Sequence, residues 1–168
     1  AGYDYAYQAD SYELAFRASK EALDDEQEEV VSDAARALGS SMDYTYSVDH
    51  ANLFNNGFNA TFVGADGVAL FSTAHPLIGG GTFKNKPTTD GDLSVAQLRV
   101  ALNDIAQQVD DAGKLIHWRP RTLLVPYNAR WLAQELLGSE LRADTAENAT
   151  NAFKGDGLTV VATPFLTD

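Results

Sequence analysis

The sequence predicts an α+β fold, and three features predict it. A proline-free stretch over residues 19–75 opens with a long helical pattern, a turn-rich hairpin signature follows, and helix and strand patterns alternate over residues 94–162. With 168 residues, 45% of them hydrophobic, the chain can bury one compact core or two small lobes. No internal repeat is present.

The elements follow in order. Residues 3–7 (Tyr-Asp-Tyr-Ala-Tyr) and Tyr12-Glu-Leu-Ala-Phe16 alternate at period two, which predicts two strands with one buried aromatic face. Ser19 opens a helical region. Asp24, Asp25, Glu26, Glu28 and Glu29 crowd its first turns, where the positive end of the helix dipole favours carboxylates. Val30, Ala34, Leu38 and Met42 set a helical stripe that Val31 and Ala35 widen. A helix from about Glu26 to Phe54 would be roughly 43 Å long, with Gly39-Ser-Ser41 as the place to kink.

Asn55-Asn-Gly57 stops that helix, with Gly57 suited to a left-handed cap. Residues 58–63 and 68–71 flank Gly64-Ala-Asp-Gly67 as a β-hairpin. Residues 75–92 lack periodicity and hold Gly79-Gly-Gly81, Pro76 and Pro87, which predicts an exposed, mobile loop. Ser94 and Gln97 form a capping box for a helix with Leu98, Leu102, Ile105 and Val109 on one face, ending at Asp110-Asp-Ala-Gly113. Thr122-Leu-Leu-Val125 reads as a short buried strand. Pro126 and Asn128 then start a helix whose core face is Ala129, Leu132, Ala133, Leu136 and Leu137 and which Gly138 stops. Leu158-Thr-Val-Val-Ala162 is the last strand.

Composition excludes several functions. There is no cysteine, hence no disulfide, thiolate zinc site or thiol nucleophile. No apolar run is long enough for a membrane span, and no signal-peptide pattern opens the chain. The net charge of −12 is uneven, because residues 1–50 hold 12 acids against Arg17, Lys20 and Arg36. So acidic a body repels phosphates at long range, which argues against direct DNA binding and leaves room for a wall that encloses DNA without adhering to it.

Candidate chemistry is thin. Asp66, Ser72 and His75 suggest a hydrolytic triad, but Ser72 lacks a nucleophile-elbow context and all three lie on one short segment, so turn and hairpin roles are expected. His50, His75 and His117 lack metal-ligand spacing, and residues 24–29 lack the alternating oxygens of a calcium loop. Gly79-Gly-Gly-Thr-Phe-Lys84 lacks the ending of a phosphate loop. No catalytic residue, cofactor site or metal site is therefore expected. Arg119-Pro-Arg121 is a small basic island, either a solvated turn or a pairing site for a neighbour's acidic helix.

Six segments in succession resemble the Mu-like major head proteins of tailed bacteriophages, which have the Hong Kong ninety-seven capsid fold. They are Ser19-Lys-Glu-Ala-Leu-Asp-Asp25, Asn52-Leu-Phe-Asn-Asn-Gly-Phe58, the stretch Asp66-Gly-Val-Ala-Leu-Phe-Ser-Thr-Ala-His-Pro76, and residues 93–101, 120–137 and 158–168. The resemblance covers about residues 12–168 and departs at the ends. The chain begins without Met and closes just after a strand-like run, so a fragment of a longer subunit is expected, lacking the N-terminal arm, most of the extended loop and the C-terminal strands.

The resemblance implies an end of the extended loop and a leading strand at 1–18, and a peripheral domain with spine helix and hairpin at 19–75. It further implies an exposed Gly-rich loop at 76–92 and part of an axial domain at 93–168. It implies a structural, non-enzymatic subunit of hexamers and pentamers in an icosahedral virion shell around double-stranded DNA. Such a shell assembles in the host cytoplasm, with scaffolding or decoration proteins as further partners and no membrane. Inter-subunit contacts are expected at Asp24, Asp25, Glu26, Glu28 and Glu29 and at Arg119 and Arg121. An encapsulin-like nanocompartment shell is the alternative within the fold, and a small hydrolase using Ser72 and His75 the alternative outside it.

Overall fold

The computed structural model describes residues 3–6, 8–24, 29–110, 112–140 and 150–167. Its elements are helices α1 (Lys20–Asp24) and α2 (Val30–Asn55), strands β1 (His75–Pro76) and β2 (Thr82–Phe83), helix α3 (Val95–Ala106), strand β3 (Thr122–Pro126), helix α4 (Arg130–Gly138) and strand β4 (Thr159–Thr163). A 3₁₀ turn, Tyr127–Ala129, leads into α4, and another, Ala152–Gly155, precedes β4.

The two strands predicted near the N-terminus do not form among the described residues. A ladder needs a partner edge. Here the aromatic segment lies instead along α2, with Tyr3, Tyr5, Tyr12, Leu14 and Phe16 exposed. Residues 12–15 face Leu38 and Met42 across an open groove. The Tyr12 hydroxyl bonds the Asp49 carboxylate, which raises the phenol above its ordinary pKa of 10.0. The Tyr3 hydroxyl donates to the Pro76 carbonyl at 2.9 Å.

The long helix forms, but it begins at Val30 rather than near Glu26. Glu29 has φ 55° and ψ 26°, a left-handed conformation that breaks the helical path after α1. At 26 residues α2 is about 39 Å long, and it runs through Gly39-Ser-Ser41 without interruption. Its apolar stripe has the predicted period and little cover. Val31, Ala34 and Leu38 are half-buried, Val30 and Met42 are exposed, and Ala51 is its one buried residue.

Gly57 is required, though not for a left-handed cap. A Cβ there would lie 2.5 Å from the Phe71 ring, whose backbone N–H donates to the Gly57 carbonyl at 2.8 Å. The hairpin beyond it reduces to one antiparallel bridge, Val63 with Ala69, closed by a turn with Gly67 at φ 78°. The loop predicted over 75–92 contains its own antiparallel pair, His75 opposite Phe83 and Pro76 opposite Thr82. Gly80 and Gly81, at φ 94° and 89°, turn the chain between them.

In α3 the Ser94 hydroxyl accepts from the Gln97 N–H at 3.2 Å, as the capping box predicts. The helix ends at Ala106, short of Val109, because the chain turns back through a bridge between Val109 and Leu115. That turn is held by Asp110, whose Oδ1 accepts from the backbones of Ala112 and Lys114. β3 and β4 pair in parallel over five positions, from Thr122 with Thr159 to Pro126 with Thr163, and α4 connects them. Ala133 and Leu137 of α4 are buried as predicted, while Leu132, expected in the core, is exposed. Leu98, Leu137 and Phe153 form the core, flanked by Val95, Leu102, Leu123, Leu158 and Val160. Asn151 closes the end of α4. Its Nδ2 donates to the carbonyls of Leu136 and Ser139, and its Oδ1 accepts from the Phe153 N–H.

Candidate functional site

Asp66 and His75, imagined as two members of a triad, do meet. His75 Nδ1 lies 2.6 Å from Asp66 Oδ2, and the imidazole is buried, stacked on Phe83 at 5.0 Å between ring centroids. Burial pushes the Asp66 carboxyl up, but the bond from His75, the Val68 N–H and the imidazole's charge together hold it below its ordinary 3.8. Ser72 does not join them. Its hydroxyl accepts from the Ala74 N–H at 3.1 Å, its own N–H donates to Asn85 Oδ1, and His75 Nε2 is buried without a hydrogen-bond partner. A catalytic base needs its second nitrogen on the nucleophile. The pair instead ties the hairpin turn to β1.

The predicted contact residues are divided. Asp24, Glu29, Arg119 and Arg121 are exposed, and Asp25, Glu26 and Glu28 lie outside the described residues. No hydrogen bond or ion pair joins Asp24 or Glu29 to Arg119 or Arg121 among the described residues. Arg119 stands at the rim of a cleft of 620 Å³ walled by Phe83, Ile105, Val109, Ile116 and Trp118. Gln108 and the Lys84–Asp104 ion pair at 3.0 Å hold two walls of that cleft together.

Sequence reasoning missed the main feature, which is how much apolar surface stays in water. The accessible area is 12641 Å², whereas a compact monomer of 18.1 kDa exposes about 8,100 Å². Trp118 is 60% exposed and Trp131 68%. The Arg130 guanidinium stacks over both Tyr127 and Trp131, so three residue types typical of binding hot spots stand together at the start of α4. A usable signal existed in the sequence: Trp131 lies beside the predicted core stripe of α4 and has no assigned place within it. Among the described residues no three His, Asp or Glu side chains cluster as metal ligands, and no helix is long and apolar enough to cross a membrane.

Comparisons with known proteins bear on the family and the fold. A family model described as phage capsid protein matches residues 3–168. One similar solved structure is the capsid of bacteriophage JBD30 decorated with minor capsid protein trimers. It has a TM-score of 0.66 at 15% identity and covers 89% of this chain and 72% of that one. Another JBD30 capsid structure has a TM-score of 0.64 at 16% identity, covering 86% and 70%. Comparison with curated proteins finds no match.

Proposed function

The chain belongs to the phage capsid protein family, and from that premise we infer how its surfaces build a shell. It is a structural capsid protein of a tailed bacteriophage virion, with the fold of assembled phage capsids. We read it as the major head protein, whose copies form the hexamers and pentamers of an icosahedral head around double-stranded DNA. Assembly in the host cytoplasm, with scaffolding or decoration proteins as partners, completes that reading.

The observation that carries it is the uncovered apolar surface on α2, at the Trp118 cleft and on α4. A lone subunit leaves these areas in water, and neighbouring copies are the partners that a closed symmetric assembly supplies. Charge then sets register. Each copy is acidic overall, so Arg119 and Arg121 offer rare cationic points, and we assign the acidic residues 24–29 of a neighbour to them. The acidic balance also suits a wall that holds DNA without binding it.

Electron microscopy of the purified full-length protein tests the main reading: closed shells containing nucleic acid are expected, and a monomer overturns it. Charge reversal tests the pairing. Asp24→Lys with Glu29→Lys is expected to lower shell yield at least tenfold, and adding Arg119→Glu with Arg121→Glu to recover it. Unchanged yield in the first variant removes the pairing.

A further inference from the structure

α2 meets the sheet half of the molecule at its C-terminal end, and the joint is built around one side chain. Asn55 Nδ2 donates to the Phe165 carbonyl at 3.0 Å, and Asn55 Oδ1 accepts from the Thr167 N–H at 3.0 Å. The carboxamide thereby replaces a strand partner for residues 165–167, which follow β4 after Pro164. Around it, the Phe165 ring meets Tyr44 edge-on at 5.3 Å, and Phe165 and Leu166 line one cleft with Ala51, Phe54 and Leu124. Ala51, the buried residue of α2, lies here.

Elsewhere, among the described residues, α2 borders the aromatic N-terminal segment and residues around the hairpin across open grooves. Its direction relative to the β3–β4 sheet is therefore set largely at this joint. We propose that Asn55 is a positioning residue that fixes the angle between α2 and the sheet, and through that angle the curvature of the shell. The inference rests on the shell-building reading.

Leverage gives the scale. Pivoting the helix by about 5° at Asn55 moves its far end, about 39 Å away, by about 3 Å. Packed interfaces hold their groups within about 0.5 Å. Because every copy carries the same angular error, contacts that close into a ring at one angle run on into open sheets or tubes at another.

The test compares the full-length protein, Asn55→Ala and a matched control, Asn85→Ala. Asn85 makes the same two kinds of bond away from the joint: it accepts from the Ser72 N–H at 2.8 Å and donates to the Leu70 carbonyl at 2.7 Å. Particle diameter is read by electron microscopy and subunit melting temperature by calorimetry. The expected result is that both variants lose thermal stability while only Asn55→Ala moves most particles out of the wild-type diameter class. Asn55→Ala shells of wild-type diameter overturn the proposal whatever the melting temperature, and so does an equal diameter change in Asn85→Ala. Should Asn55→Ala be insoluble, Asn55→Ser is judged by the same outcomes. A wild type that forms no shells overturns the shell-building reading itself, whereas wild-type shells with unaltered variant shells overturn this inference alone.

Discussion

Replacing Asn151 by Ala removes a buried side chain that closes three hydrogen bonds at the end of α4. The residue is 7% exposed, and its amide donates to the Leu136 and Ser139 carbonyls at 2.7 and 3.0 Å while its oxygen accepts from the Phe153 N–H at 3.1 Å. Each such bond contributes about 1 kcal/mol net, and the polar groups left behind lie beside the Phe153 core, where water reaches poorly. The expected loss is roughly 3 kcal/mol, against a total that for a single domain is about 5–15 kcal/mol. Urea unfolding of the unassembled subunit, followed by the fluorescence of Trp118 and Trp131, measures it. At about 1–3 kcal/mol per molar urea the midpoint falls by about 1–3 M. Asn151→Asp keeps the acceptor and loses both donors, so it is expected to fall at least as far. A loss below about 1 kcal/mol in Asn151→Ala refutes the assignment of this side chain as the lock between α4 and the Phe153 turn.

Two further outcomes follow from other parts of the fold. The Asp66 carboxyl titrates below its ordinary 3.8 when folded, so its contribution is fully present above that value and is lost as pH falls through the lower folded value. The wild-type urea midpoint is therefore expected to drop as pH falls below about 4, and Asp66→Asn to be less stable at neutral pH with a shallower acid limb; identical acid limbs would show that the pair with His75 contributes nothing. Gly57→Ala drives a methyl into the Phe71 ring, with 2.5 Å available, and is expected to cost about 1–3 kcal/mol in the same urea experiment. Restoration by Phe71→Leu in the double variant checks that the ring is the cause.

What could be read from the sequence was local, and what could not depended on partners distant in the chain. The Ser94 cap needs only Gln97, three residues on, and it formed where expected. The apolar runs of β3 and β4 identify strands, but their pairing in register across 37 positions is invisible to periodicity. Asn55 and Asn151 are ordinary polar residues until their partners 110 and 15 residues away come into place. Asp66 and His75 drew notice as chemistry because the residue types are right. Their 2.6 Å contact is real, yet the imidazole's other nitrogen points at nothing that could be activated. Period two at residues 3–7 and 12–16 records a tendency toward strand, and that tendency is realised only where an edge is available to pair with.

The helix stripe teaches the most, because its period was right and its destination was not. Val30, Leu38 and Met42 recur as a core-facing helix requires, yet the described chain leaves Val30 and Met42 in water. In a self-contained domain such a stripe would mark the interior. In a capsid subunit it marks a place where interior is made by assembly. On the shell-building reading proposed above, the same surfaces serve folding and association, and the cover that the subunit lacks alone is supplied by its neighbours. Copies carrying a net charge of −12 repel at distances beyond contact, and salt confines that repulsion to about 8 Å at physiological ionic strength. Apolar contact, and the pairing proposed for Arg119, would act only inside that range. On that reading the balance would slow the first encounters and favour copies added at a growing edge, where several surfaces are covered at once.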